Sequence, residues 1–225
     1  MKKLLLPILL FCGVQTLHAQ LSIDAQVKYA YNSSALFNKN ISDLGASQDY
    51  DFAFNSNYGA AVNVNYGKIG IGAELLLGSL RGAYQGTIVA ANSSYTSEVN
   101  LDLTQIPVYL RVGGAKGSFG EFGVVLHNVK NATYSATNDV NLSNYSFDAT
   151  SRYQSFMGYM VGVGGRMSLP KIPVMLSISA RFMYSTADAK GVDALGLPLD
   201  GYPTYYNTNA ASVGLHAGLV YSFEQ

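Results

Sequence analysis

Apolar and polar residues alternate with a period of two through most of this chain, and the last run is the clearest. Between Ala211 and Phe223, the residues Val213, Leu215, Ala217, Leu219, Tyr221 and Phe223 fall on one face of a strand, while Ser212, Gly214, His216, Gly218 and Ser222 fall on the other. A half-buried strand whose second face meets water normally carries charge there. Here that face is glycine and serine around one histidine, which predicts an apolar face against lipid and a small face against a crowded interior.

The same alternation predicts eight strands. The first spans about Leu21–Tyr31, with Ile23, Ala25, Val27, Tyr29 and Tyr31 opposite Asp24, Gln26 and Lys28. The second keeps Tyr50, Phe52, Phe54, Tyr58, Val62, Val64 and Tyr66 on one parity and turns at Gly67-Lys68, a pair suited to a tight hairpin. A third follows at Ile69–Leu77, with Glu74 on its small face. In the fourth, about Tyr95–Val112, the apolar parity changes between Leu103 and Ile106, which predicts a bulge near Thr104-Gln105 beside Pro107. A fifth strand includes Glu121–His127, a sixth covers about Ser151–Met167, a seventh alternates over Val174–Tyr184, and the run ending at Phe223 is the eighth.

The connections between these strands alternate strictly, long then short. The short ones, at 67–68, 113–117 and 168–173, fall on the side that holds both termini. Outer-membrane barrels have short periplasmic turns and long outer loops, so the chain is expected to be an all-β, eight-stranded antiparallel up-and-down transmembrane barrel. A soluble ligand-holding barrel would instead turn Gly70, Gly72, Gly162, Gly164, Gly214 and Gly218 toward water, with little charge to keep its surface solvated.

Composition sharpens this picture. Charged residues make up 12%, balanced at 14 basic and 14 acidic, against roughly 25% in ordinary soluble proteins. That balance gives no electrostatic footprint for nucleic acid. Met1-Lys2-Lys3, the apolar Leu4–Phe11 and the Leu17-His18-Ala19 end predict a signal peptide at residues 1–19, leaving 20–225 as the barrel domain. The single cysteine, Cys12, lies inside that signal, so the mature chain offers neither a disulfide nor a thiol nucleophile.

The interior is the first place to look for chemistry. Parity puts Asp24, Lys28, Glu74, Arg111, Glu121, His127, Arg152, Arg166, Arg181 and His216 in the lumen. Unpaired charges there are costly, so Glu74 and Glu121 are expected to accept from Arg111, Arg166 and Arg181, as a polar plug rather than a catalytic centre. Eight strands leave an interior that side chains fill. No metal-ligand spacing, phosphate loop or nucleophile motif appears, and His127 and His216 are expected to be buried, hydrogen-bonded structural residues; no cofactor and no enzyme activity are expected.

Aromatic residues suggest two interfacial girdles, with Tyr66, Tyr109, Tyr221 and Phe223 near the short turns and Tyr29, Tyr31, Tyr58, Tyr153, Phe156 and Tyr184 toward the long loops. The outer loops, about 32–49, 81–94, 131–149 and 187–209, are rich in Asn, Ser, Ala and Tyr. Phe52, Phe54, Tyr202, Tyr205 and Tyr206 are the candidate contacts for a protein partner there.

The export signal ending at Ala19-Gln20, the Leu103–Val112 strand with its embedded Ile106-Pro107, the glycine-rich Met160–Gly165 and the aromatic-ended last strand carry a family resemblance. In these the chain resembles the PorT-like family of small outer-membrane β-barrel proteins of Bacteroidetes. Many members end on the aromatic itself, whereas Glu224 and Gln225 follow Phe223 here. The resemblance implies a porin-like fold in the outer membrane, with membrane lipid and the barrel-assembly machinery as partners. The expected role is structural or interactive, through the outer loops. Support of the type IX secretion pathway, which the family resemblance implies, and a narrow channel are the alternatives.

Overall fold

The computed structural model describes residues 21–44, 48–88, 93–113, 117–138, 145–190 and 206–224. The expected signal peptide at residues 1–19, and Tyr202 and Tyr205, lie outside the described residues.

The chain runs through β1 (Leu21–Asn38), the single helical turn α1 (Lys39–Ser42), β2 (Gln48–Asp51), β3 (Ala53–Tyr66), β4 (Ile69–Ile88), β5 (Ser93–Gly113) and β6 (Gly117–Asn138). It continues through β7 (Tyr145–Asp148), a tight helical turn at Thr150–Arg152, β8 (Phe156–Ser168), β9 (Met175–Ser185) and β10 (Thr208–Glu224). All pairings are antiparallel, and eight strands close on themselves in the order β1, β3, β4, β5, β6, β8, β9, β10 and back to β1. The expected eight-stranded up-and-down barrel is therefore the architecture observed. Closure removes the free edges that an open sheet would expose. The two short strands prolong the wall above β3 and β8, β2 paired with the upper part of β4 and β7 with that of β6.

The short connections and the described ends of the chain share one rim. Gly67 takes φ 60° in the turn from β3 to β4, a left-handed conformation that costs glycine little. The Gly113 N–H donates to the Lys68 carbonyl at 2.8 Å, tying that turn to the end of β5, and the Leu169 N–H donates to the Val174 carbonyl at 3.0 Å across the third connection.

Above this rim the outward face is an apolar belt. Ile23, Val27, Val64, Ile71, Leu110, Phe122, Val163, Phe182, Leu215 and Leu219 all face out and are exposed. About ten residues per strand, tilted by about 40°, give the belt a height of roughly 25 Å. Beyond it the polarity reverses. On the upper parts of β5 and β6, Thr96, Asn131, Thr133 and Ser135 face out, while Val99, Leu101, Leu103, Ala132 and Tyr134 turn inward to form a buried core with Leu36, Leu80 and Tyr84. Ile41 of α1 packs into the top of that core.

This reversal corrects three expectations. Much of the segments at 32–49, 81–94 and 131–149 is strand rather than loop, because polar residues there lie on the outer face of strands that rise past the belt. β5 carries no parity slip at Thr104-Gln105, since its odd residues face inward from Tyr95 to Arg111 and it is the chemistry of the two faces that exchanges. The bulge lies beside it: Asp102 pairs with Asn131 and Leu103 with Val129, leaving Lys130 of β6 as the extra residue. Three girdle assignments also change, because Tyr109, Tyr153 and Phe156 point into the barrel and are buried. Tyr66, Tyr221, Phe223, Tyr29, Tyr31, Tyr58 and Tyr184 do face out.

A seam interrupts the upper wall. β3 pairs with β1 only as far as Ala53 opposite Ser34, and beyond a break at Phe52 the chain keeps only β4 as a partner, Asp51 opposite Ala83. Side chains replace the missing strand partner. The Tyr50 hydroxyl donates to the Asn38 carbonyl at 2.8 Å and accepts from the Asn38 N–H at 3.0 Å. The Tyr84 hydroxyl donates to the Leu36 carbonyl at 3.2 Å, and Ser34 Oγ donates to the Arg81 carbonyl at 2.8 Å. The break also moves Tyr50 off the outward face it was expected to share with Phe52; it packs between Phe37 and Tyr84, with ring centroids 5.0 and 5.9 Å away. Removing the phenol oxygen in Tyr50→Phe leaves Asn38 short of a partner, an expected loss of about 1–3 kcal/mol. Amide exchange at Asn38 is the measurement, and an unchanged protection factor would show that the seam does not depend on that hydroxyl.

Candidate functional site

The lower lumen gathers charged side chains from six strands: Asp24 and Lys28 of β1, Glu74 of β4, Arg111 of β5, Glu121 of β6, Arg166 of β8 and Arg181 of β9 are all buried. Register explains how such bulk fits. Lys28 lies opposite Gly59 and Gly218, Arg111 opposite Gly70, and Arg181 between Gly162 and Gly214. A charged chain thus has a glycine beside it on the next strand, as the alternation implied.

Arg181 is the centre of the arrangement. Its Nη1 and Nη2 donate to the two oxygens of Glu74 at 2.8 and 2.7 Å, and its Nε donates to Glu121 at 2.8 Å. Lys28 Nζ donates to Glu74 at 2.6 Å. Arg111, paired across the sheet with Glu121, donates to it through Nε at 3.1 Å and through Nη2. Ring faces fill the remaining space. Tyr109 lies 5.1 Å from the Arg181 guanidinium and 5.6 Å from that of Arg111, and its hydroxyl donates to Asn63 at 2.8 Å. A Cβ at Gly72 would collide with the Tyr109 ring, so glycine is required where that ring crosses the wall.

A second cluster sits closer to the turn rim. Asp24 accepts from Arg166 at 2.6 Å, from Asn65 at 2.8 Å and from Ser222 at 2.7 Å. Phe119 separates the clusters, with its ring 4.4 Å from the Arg111 guanidinium and 5.8 Å from that of Arg166. The expected group of Glu74, Glu121, Arg111, Arg166 and Arg181 therefore needs correction in one member. Arg166 pairs with Asp24, because β8 places it level with the lower end of β1, opposite Gly117 and Ser177. Lys28 and Asp24, assigned to the lumen by parity but to no pair, are the partners that sequence reasoning missed. Only the shared inward parity with Glu74 hinted at them, since the pairing crosses the barrel between strands remote in sequence. Arg152 is also corrected. It lies in the turn at Thr150–Arg152, only partly buried, with its guanidinium 5.6 Å from the Phe147 ring.

The histidines are buried but not as expected. His127 stacks on Phe156 with centroids 4.5 Å apart and an interplanar angle of 12°, and neither ring nitrogen has a hydrogen-bond partner among the described residues. His216 borders a cavity of about 30 Å³ above the network, shared with Asn57 and Arg181, and its Nδ1 has no partner among the described residues. Neither is hydrogen-bonded to a carboxylate among the described residues. No grouping of three His, Cys, Asp or Glu able to hold a metal occurs among them either.

Of the candidate loop contacts, Phe52 is 80% exposed and Phe54 is 51% exposed and stacked on Tyr31 at 5.8 Å. Tyr206 is held under the Lys39 ammonium, 5.3 Å from its ring centroid, while its carbonyl accepts from Asn38 at 2.8 Å. The hydrogen bond from Lys39 to Asp43 holds that ammonium above its ordinary value. Tyr206 is thus half-buried beside the exposed Lys39.

No family model and no curated protein matches the chain. Solved structures similar to it include Neisserial surface protein A, at 12% identity and a TM-score of 0.40 over 89% of this chain and 97% of that one. Another is the attachment invasion locus protein Ail of Yersinia pestis, at 9% identity and a TM-score of 0.40 over 88% and 99%. A third is the outer membrane protein OprG from Pseudomonas aeruginosa, at 15% identity and a TM-score of 0.43 over 92% and 97%.

Among the described residues the buried cations Lys28, Arg111, Arg166 and Arg181 face the carboxylates Asp24, Glu74 and Glu121, four against three. Glu74→Gln widens that excess, leaving Lys28 without its carboxylate and Arg181 with Glu121 alone, an expected loss of about 3–5 kcal/mol. Lys28→Met makes the count three against three and should cost clearly less. The readout is the temperature at which the folded barrel loses its compact gel mobility, and equal losses in the two variants would overturn the charge-balance account.

Proposed function

We propose that this chain is an integral outer-membrane protein without enzymatic activity, whose barrel anchors and positions the outer strands and loops as a structural or interaction surface. The observation that carries this reading is the continuous outward apolar belt, edged by outward aromatic residues on both rims. Below the upper rim, carbon faces out and charge faces in; above it both faces exchange. A water-soluble barrel gives no reason for that exchange at a common height, whereas the edge of a bilayer does. In this reading residues 1–19 are the export signal, residues 20–225 form the barrel domain, and the barrel-assembly machinery inserts it.

The lumen supports a closed barrel rather than a channel. From the turn rim upward it holds the two charge clusters, the small cavity beside His216 and then the apolar core under Ile41. His127 stacks in that packing and His216 borders the small cavity below the core, neither having among the described residues the carboxylate partner that a general base would use. The PorT-like resemblance supports the outer-membrane assignment. It also implies a supporting role in type IX secretion, which the geometry neither requires nor specifies.

The folded protein should sediment with the outer membrane and shift in gel mobility on boiling in detergent. A soluble periplasmic protein with no shift would overturn the membrane reading. Planar bilayers containing the folded chain should show no stepwise conductance, and regular unitary steps would replace the closed lumen with a narrow channel.

A further inference from the structure

The seam between β1 and the β2–β3 break has an outer side as well as an inner one. There the outward faces of β1, β10 and β9 form a groove of about 540 Å³, within the roughly 300–1,000 Å³ typical of small-molecule sites. Its floor is small: Ala35 lies directly opposite Ala211 in the β1–β10 ladder. One wall is Phe182 and Tyr184 of β9, and the other is Phe37 with Phe52, which the break at the end of β2 brings alongside. Asp51 is the one charged residue lining it.

We propose that this groove holds an acyl chain of a lipid from the surrounding outer leaflet. The proposal rests on the membrane reading above and deepens it. Three features select this occupant. The groove is continuous with the apolar belt, since Phe182, Tyr184 and Val213 belong to both, so a chain enters it without leaving hydrocarbon. The lining is almost wholly carbon, with Asp51 as its only charge, which suits a methylene chain and disfavours an anionic group. A peptide strand has little to bind, because the adjacent edge of β1 is already satisfied: the Leu36 carbonyl by Tyr84, and the Asn38 carbonyl and N–H by Tyr50. Phe52, which the alternation marked as a contact for a protein partner, thereby becomes a wall of a lipid site.

The test uses the full mature chain folded into bilayers that contain a small fraction of phospholipid with a photoreactive diazirine near the end of one acyl chain, with adducts mapped by mass spectrometry. Adducts at Phe37, Phe52 and Tyr184 should exceed those at belt residues elsewhere on the barrel, such as Ile71 and Val108, by several-fold. They should also saturate at low photolipid fraction, while belt adducts rise in proportion to it. Ala35→Leu with Ala211→Leu fills the floor and should reduce the groove adducts several-fold with belt adducts unchanged. Phe52→Ser, a change at an exposed position, should do the same by removing one wall. Even labelling around the belt would reduce the groove to ordinary annular contact and overturn the proposal while leaving the membrane reading intact. Cross-links between two copies through Phe52 would replace the lipid with a second protomer. Absence of belt labelling altogether would overturn the membrane reading itself.

Discussion

The interior depends on the guanidinium of Arg181, which is shared between carboxylates delivered by two other strands. In a barrel this narrow, water cannot compensate a charge, so each ionised side chain needs a partner within hydrogen-bond reach. Arg181 meets that need for Glu74 and Glu121 at once, and in doing so links β9 to β4 and β6 across the lumen. The planar fork of donors matters, because an ammonium has no rigid geometry with which to grip both oxygens of one carboxylate and still reach a second. The glycines on the flanking strands follow from the same constraint. Gly162 stands beside Arg181 where a Cβ would press on the Arg181 side chain, and Gly214, on its other flank, leaves room for Asn32.

A second constraint acts along the barrel axis rather than across it. The strands that rise past the belt cannot keep one pattern from end to end, because the medium outside them changes. β5 shows this without any change of register: its odd residues face inward throughout, yet they are Tyr109 and Arg111 at one level and Val99, Leu101 and Leu103 at another. Its even residues run from Leu110 and Val108 to Asn100 and Thr96. The interior therefore has a polar section wrapped in an apolar exterior and an apolar section wrapped in a polar one. On the membrane reading proposed above, each section is stable only in its own surroundings, which fixes the height of the barrel in the bilayer.

This reversal sets what was legible in the sequence. Where lipid and lumen alternate, period two reads directly, and the eight strands, the shared rim of short turns and the inward parity of the charged residues follow from it. On the outer side the same period persists with weaker contrast, Ser and Thr against Ala, Leu and Tyr, and it reads as polar loop. The pattern change at Leu103–Ile106 looked like a slip for the same reason, while the bulge itself, at Lys130, leaves little trace because the residues around it are polar on both parities. The charge network was legible in membership but not in partners. Parity assigns a side chain to the lumen, whereas the choice of Asp24 for Arg166 depends on strand tilt and stagger, which set the height of residues 142 positions apart. Phe52 and Phe54 are legible as aromatics of one parity, but the groove beside Phe52 is not, since it arises where the β1 pairing ends.

The seam and the closed lumen lead to the same view of where this protein can act. A filled interior leaves little room for a ligand among the described residues: the cavity beside His216, at about 30 Å³, accommodates only a water or two. Lower in the barrel each of the eight strands pairs with both of its neighbours. At the top of β1 the ladder is interrupted, and hydroxyls of Tyr50 and Tyr84 take the place of a strand. A strand could have satisfied the same backbone groups without tyrosines, but it would have covered the outer face of Ala35 and Phe37. By satisfying the edge from within, the fold keeps the backbone paired and the outer face open. On the proposed reading, the open face of the seam lies at the height where hydrocarbon gives way to water, which is where the barrel would meet a ligand.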